Sequence, residues 1–317
     1  MDEYTFEDAL ASSTVTCSYP GLTATRVSHG EAADAQCTSL FFPGCSFINY
    51  GLPLVQAVYD LLAGAGQVDG LSLLCCGKIL EYEQDEQAAR RAFEQQLRDH
   101  LAGSSIKRIV AACPNCVKAL RNLLKVSAET AGIEVVPLPK LLVDMGYTID
   151  PDVARSMAQA DPRVGDADVV FCPKDSCPDR ATGEFADALR AILPADMQVE
   201  PQYARKRSYC CGSRPRAAGH YDLAAKMSAR HGAQAREVGA NALATACMSC
   251  TYLLSTLQTE MPVFHYLELL YNWRIPWEYT DQYMKLRFLF DDALGVREFK
   301  GLESGEVVED ATDGVEA

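Results

Sequence analysis

Ile106-Lys107-Arg108-Ile109-Val110-Ala111-Ala112-Cys113-Pro114-Asn115-Cys116 is a short apolar run closed by a C-x-x-C. Ile106 to Ala112 reads as a buried strand. Leu120, Leu123 and Leu124 follow the cysteines at helical spacing, so strand, cysteine pair and helix succeed one another without a break. A C-x-x-C at a helix start has a physical logic, because the positive end of the helix dipole favours the metal-binding thiolate. The same order returns downstream. Ala242 to Ala246 reads as a strand, Cys247 and Cys250 close it, and Leu253 and Leu254 carry on into a helix.

Working outward, each C-x-x-C is preceded by a vicinal cysteine pair and a lone cysteine. Thr38 to Cys45 predicts a strand that ends at Pro43-Gly44 and delivers Cys45 to a loop. Residues 51–64 read as a helix, and Leu71 to Leu74 as a strand ending at Cys75-Cys76-Gly77. A helix with Ala89, Phe93, Leu97 and Leu101 on one stripe precedes Ile106. Ile133 to Val136 is a further strand, and a helix starts near Leu141-Leu142. In the second half Ala167 to Phe171 reads as a strand leading to Cys172 and Cys177. Phe185, Leu189, Ile192 and Leu193 mark a helix, and the following segment ends at Cys210-Cys211-Gly212. Residues 222–239 read as a helix with Leu223, Met227 and His231 one turn apart, and Val263-Phe264 is the last strand, before a helix over Leu267 to Tyr271.

The offsets between halves are nearly constant: Cys45 to Cys177 is 132 residues, Cys75 to Cys210 is 135, and Cys113 to Cys247 is 134. An internal duplication accounts for this. Strands alternating with helices predict an α/β fold of two duplicated Rossmann-like βαβ domains with parallel sheets. The cysteines then fall just past the C-terminal ends of strands, where open α/β sheets place their sites.

Residues 1–37 read as an N-terminal extension, rich in Ser, Thr, Ala, Asp and Glu and weak in hydrophobic periodicity. The two cysteine-bearing domains take residues 38–165 and 166–276. Residues 277–300 read as an aromatic C-terminal helix, with Tyr279, Tyr283, Phe288, Leu289 and Phe290, and residues 301–317 as a disordered acidic tail. The chain has 317 residues, 48% hydrophobic and 23% charged, which suits two globular domains. A net charge of −14 argues against nucleic acid as the main partner. The N-terminus lacks the basic and apolar regions of a signal peptide, and no apolar run is long enough to cross a bilayer. The expected location is the cytoplasm, with a membrane complex nearby as an option.

In that compartment clustered cysteines read as metal ligands or redox groups rather than disulfides. Ten of the 13 fall into the two repeated sets, Cys45, Cys75, Cys76, Cys113 and Cys116, and Cys177, Cys210, Cys211, Cys247 and Cys250. Cys17, Cys37 and Cys172 stand outside them. Adjacent thiols diverge along a regular strand, so each vicinal pair predicts an irregular turn eased by Gly77 or Gly212. A turned pair can bridge neighbouring iron atoms. A four-coordinate zinc would leave a fifth thiol idle in each half, and an ordinary iron–sulfur cluster also takes four. Five thiols therefore suggest an unusual cluster, with zinc in one or both sites as the competitor. A thioredoxin-like pair would explain neither the vicinal cysteines nor the duplication.

The spacing of one cysteine, then CCG, then C-x-x-C resembles the CCG-domain (cysteine-rich domain) family, and in particular the catalytic B subunits of heterodisulfide reductases. Phe42-Pro43-Gly44-Cys45 resembles their first ligand strand, and Ala112-Cys113-Pro114-Asn115-Cys116 their first C-x-x-C. Lys174-Asp175-Ser176-Cys177-Pro178-Asp179-Arg180 resembles the second lone-cysteine motif, which favours Cys177 over Cys172 as ligand. The resemblance spans residues 38–272. It implies two noncubane [4Fe-4S] clusters at the domain interface, one on each set of five cysteines, and a disulfide split between them with no essential side-chain acid or base. It also implies a ferredoxin-like partner subunit (heterodisulfide reductase C-like), since the chain has no ordinary ferredoxin run of its own. A flavoprotein subunit is a further expected partner.

The chain departs from the family's pattern at Ser213-Arg214-Pro215-Arg216, where relatives carry glycines, and at Pro178, where they carry histidine. Arg205, Lys206, Arg207, Arg214 and Arg216 flank the second CCG in an otherwise acidic protein. They read either as a solvated basic loop balancing thiolates, or as an anion site for a small disulfide or anionic thiol substrate, with Arg214 and Arg216 as binding residues and Tyr209 lining the cavity. His220, His231 and His265 read as packing or surface residues. Three functions compete: a disulfide-reducing subunit, an electron-transfer subunit of a lactate-, glycolate- or succinate-type quinone-linked oxidoreductase, and a zinc-bearing scaffold.

Overall fold

A computed structural model describes residues 2–20, 24–29, 37–78 and 87–277. They form two compact units, described separately. The first takes the described residues up to 111 together with 119–136, and the second takes 112–118 and 137–277. The expected C-terminal helix, beyond Trp277, and the acidic tail lie outside the described residues.

The stretch read as an extension is instead part of a sheet, and this corrects the sequence reading. β1 (Asp2–Asp8), β2 (Ser13–Tyr19) and β3 (Ala24–Ser28) pair antiparallel. In β2 burial alternates strictly, with Ser13, Val15, Cys17 and Tyr19 inward and Thr14, Thr16 and Ser18 outward. The period of two is there, but short polar residues carry half of it. Cys17, outside the two repeated sets, is fully buried on this face. β1 then runs parallel to β5 (Gly70–Leu71), placing the hairpin on the edge of the domain's sheet.

That sheet holds seven strands in the order β3-β2-β1-β5-β4-β6-β7, with β4 at Ser39–Phe42, β6 at Arg108–Ala111 and β7 at Glu134–Pro137. β4 runs parallel to both β5 and β6. The helices of this half are α1 (Cys45–Tyr50), α2 (Leu52–Gly64), α3 (Gln87–Ala102) and α4 (Pro114–Leu124). Phe93, Leu97 and Leu101 are buried along α3 as their spacing predicts. Two predictions need correction. Cys45 opens α1 rather than sitting in a loop. The strand predicted over Leu71 to Leu74 stops at Leu71: Ser72 N still donates to Phe41 O at 2.9 Å, but side chains take the two amides after it, Leu73 N donating to Asp8 Oδ2 at 2.7 Å and Leu74 N to Ser72 Oγ at 3.2 Å.

The second unit is built on a three-stranded parallel sheet, β10-β9-β8, with β8 at Phe171–Lys174, β9 at Ala242–Thr245 and β10 at Val263–His265. Its helices are α5 (Leu138–Asp144), α6 (Pro151–Gln159), α7 (Glu184–Ile192), α8 (Ser213–Ala217), α9 (Tyr221–Glu237), α10 (Met248–Leu257) and α11 (Tyr266–Tyr271). β8 starts four residues later than predicted, so Cys172 lies inside the strand. The segment leading to the second CCG forms only a lone bridge, Phe171 to Gln198, where the first half has β5. α6, absent from the sequence reading, is fixed by Asp150, whose carboxylate accepts from Asp152 N at 2.8 Å, with Pro151 in the first turn.

The registers show the duplication directly. β4 pairs Ser39 with Arg108 and Phe42 with Ala111, and β8 pairs Phe171 with Ala242 and Lys174 with Thr245. The fold is α/β, a duplicated Rossmann-like arrangement.

Candidate metal centre

In the first unit three of the predicted ligands lie together. Cys45 heads α1, and Cys75 Sγ donates to Cys45 Sγ at 3.8 Å. Cys75 also contacts the Cys76 thiol and the Gly77 amide; the Cys45 contact, then burial, push its thiol pKa well up. The approach to this pair is held by Asp8, whose buried carboxylate accepts from Leu10 N at 3.0 Å, Ala11 N at 2.9 Å and Leu73 N at 2.7 Å. Burial raises the Asp8 pKa, against the pull of those bonds.

The second unit gathers seven thiols, because residues 112–118 belong to it and bring Cys113 and Cys116. Their thiols neighbour one another in turn along the run: Cys177 with Cys210, Cys210 with Cys211, Cys211 with Cys250, Cys250 with Cys247, Cys247 with Cys113, and Cys113 with Cys116. Contacts with neighbouring thiols lower the pKa of Cys210, Cys250 and Cys113 and raise that of Cys177, Cys211 and Cys247. Each C-x-x-C sits as its sequence predicts: Cys113 precedes α4, and Cys247 is the residue that caps α10. Cys210 Sγ also accepts from Gly212 N at 3.4 Å. Gly212 has φ 110°, and a Cβ there would lie 2.6 Å from Ala224 O, so the vicinal pair makes its turn directly against α9.

Three supports hold this run. The first is Lys174, the last residue of β8, 4% exposed. Its Nζ lies 2.9 Å from Asp175 O and 3.5 Å from Cys250 Sγ. Burial alone would lower its pKa; the charges of Cys250, Cys211, Cys177 and Cys247 outweigh burial and hold it up. The second is α9, which takes both carbonyls of the vicinal pair. Ser228 Oγ donates to Cys211 O at 2.7 Å, and His231 Nε2 lies 3.2 Å from Cys210 O. Burial, then Lys174, push the His231 pKa down to about 3. The inward face of α9 is thus Ala224, Ser228, His231, Gly232 and Ala235, and Leu223 is half-exposed. The third is Arg190 of α7, which grips the buried Asp175 carboxylate through Nη1 at 2.7 Å and Nη2 at 3.0 Å. Asp175 also accepts from Arg205 N at 2.6 Å.

Of the predicted substrate residues, Tyr209 is half-buried. Its ring stacks on His231 at 4.1 Å, Arg230 lies 4.8 Å above it, and its hydroxyl donates to Gln234 Oε1. Arg216 is set between the rings of Tyr221 and Tyr252, 5.8 Å from each. Arg214 is exposed. Arg205 pairs with Asp187. Cys172 lies buried on β8, its pKa pushed up to about 12 by burial, and His265 is a buried helix cap.

The donor set is suited to a thiolate-bound group. The contacts within the run are sulfur to sulfur, a cation sits against it, and the buried hydroxyls of Ser176 and Ser208, which flank it in sequence, make no hydrogen bond among the described residues. The run is extended rather than convergent: among the described residues no three Cys, His, Asp or Glu side chains are arranged around a single ion. The pattern of the CCG cysteine-rich domain matches twice, over residues 39–121 and 174–255. The chain belongs to the CCG family of cysteine-rich domains. CCG membership supports metal binding and a general iron–sulfur electron-transfer role. No curated protein matches the chain. Among solved structures it is similar to the glutamate racemase isoform RacE1 of Bacillus anthracis, with 9% identity, 75% of this chain and 79% of that one covered, and a TM-score of 0.36. The Picrophilus torridus aspartate racemase gives 12% identity, 80% and 98% coverage, and a TM-score of 0.33. Among the described residues no helix of this CCG chain is long and apolar enough to cross a membrane.

Proposed function

We propose that the chain is an iron–sulfur oxidoreductase subunit of the heterodisulfide reductase B type. It would reduce a small disulfide, or a related anionic thiol substrate, with electrons from a ferredoxin-like partner subunit. The observation that carries this reading is the unbroken run of thiols from Cys177 to Cys116. Five of them, Cys177, Cys210, Cys211, Cys247 and Cys250, form one contact chain, a count that suits a noncubane [4Fe-4S] cluster better than a four-ligand site. Cys45, Cys75, Cys76, Cys113 and Cys116 would hold the second such cluster. When bound, these groups supply one-electron chemistry and Lewis-acidic iron.

The chain's own residues prepare the site. Cys177 and Cys210 are half-buried, whereas Cys211, Cys247 and Cys250 are nearly closed to solvent, so a substrate reaches the run from the Cys177–Cys210 end. Tyr209, held by Gln234 and His231, would wall that approach, and Arg214 would meet an anionic group on the substrate.

Metal analysis of anaerobically purified protein tests the assignment, with roughly eight irons per chain expected from two four-iron clusters. Zinc without iron would overturn it. Turnover of a small disulfide with an artificial reductant tests the reaction. A protein with its full iron that reduces no disulfide would instead be an electron-transfer subunit of a quinone-linked oxidoreductase.

A further inference from the structure

The two halves share one plan but not one charge. Phe42 is the last residue of β4, pairs with Ala111 and precedes Cys45 by three residues. Lys174 is the last residue of β8, pairs with Thr245 and precedes Cys177 by three residues. The positions are equivalent, and both are buried, Phe42 at 1% and Lys174 at 4% exposure. One half therefore ends its first strand in an apolar ring and the other in an ammonium. That ammonium is 3.5 Å from Cys250 Sγ. It is anchored by Asp175 O, while the carboxylate of Asp175 is turned to Arg190. Among the described residues no carboxylate pairs with Lys174 to cancel it.

We infer that Lys174 is a fixed counter-charge that makes the second cysteine set the stronger electron acceptor of the two. This rests on the reading of both sets as iron–sulfur sites. Reduction adds one negative charge at a site. At the second set that charge is added beside a buried cation, in surroundings where water screens little. In the first half the equivalent strand end carries the uncharged Phe42. One electron supplied by a low-potential ferredoxin-like donor, or by dithionite in the test, therefore comes to rest at the second set: that set is reduced by one electron and the donor oxidised by one. Lys174 touches a ligand rather than a substrate, so it is a positioning charge and not a catalytic residue.

The test is a potentiometric titration of the anaerobic holoprotein, followed by electron paramagnetic resonance, on the wild type, Lys174→Gln and Lys174→Arg, with iron counted in each. Two separate midpoint potentials are expected in the wild type. Lys174→Gln, with its iron retained, should lower the higher potential by about a tenfold change in the reduction constant, about 59 mV for one electron. The lower potential should stay fixed, and Lys174→Arg should restore the wild-type pair. Equal shifts at both potentials, no shift at either, or a shift of the lower one alone overturns the proposal. If Lys174→Gln costs the second set its iron, the remaining signal must titrate at the lower wild-type potential; a remaining signal at the higher one overturns the proposal equally. A wild type that binds no iron fails at the earlier step, the assignment of the cysteine sets, before any variant is compared.

Discussion

Gly77 and Gly212 hold the two vicinal pairs in their turns, and their surroundings differ. Both have positive φ, 72° and 110°. A Cβ on Gly77 would meet the ring of Phe93 at 2.8 Å, and a ring can tilt aside. A Cβ on Gly212 would meet Ala224 O at 2.6 Å, and a carbonyl inside α9 cannot move without the helix. Gly212→Ala should therefore destabilise the protein by about 3 kcal/mol, the upper end for a residue forced into such backbone, and Gly77→Ala by about 1 kcal/mol. Urea unfolding of the metal-free variants measures both. A Gly212 variant no worse than the Gly77 variant would show that α9 does not clamp the second turn.

α7 acts on the site through a single side chain. Arg190 and Asp175 are a nearly buried pair, their side chains 11% and 2% exposed, and Asp175 lies between Lys174 and Cys177. Arg190→Met leaves the Asp175 carboxylate buried with its charge unpaired, a loss of about 3–5 kcal/mol. Arg190→Lys keeps the charge but not the two-pronged grip, so it should recover only part of that loss in the same unfolding measurement. A full recovery would mean that charge alone holds the strand end. How much of this could be read in the sequence follows the same physics. β4, β6 and β9 and their helices were legible, because apolar runs and C-x-x-C spacing are local signals, and so was every thiol now found in the run. β1 to β3 were not: in β2 Ser, Thr and Cys carry much of the alternation, and in β1 the buried positions include Asp8. Lys174 was quoted only as part of a motif, since a lysine beside an aspartate reads as solvated. Its burial depends on β9 and α10, some seventy residues away. Ser228 was not legible for a related reason: the inward face of α9 is made of small and polar residues, among which His231, read as a packing or surface residue, packs.

For the whole chain the decisive quantity is charge. At −14 the protein as a whole repels an anionic substrate. Around the half-buried end of the thiol run the sign reverses locally, with Lys206, Arg207, Arg214, Arg216 and Arg230 close in sequence. Several of these cations are already engaged, since Arg207 and Arg230 lie over the Tyr203 ring and Arg216 between two tyrosines. Arg214 is exposed and pairs with no acidic group among the described residues, which leaves it available to an incoming anion. Arg214→Ala should raise KM for an anionic disulfide by about two- to fivefold, the scale of an exposed ion pair, and leave kcat unchanged. The KM of a neutral disulfide should not move. Added salt should shrink the difference between wild type and variant for the anionic substrate, because exposed charges are screened over about 10 Å at 0.1 M ionic strength. If both substrates weaken equally, and salt makes no difference, Arg214 supports the turn after Cys211 rather than the substrate, and the basic residues serve to balance the thiolates.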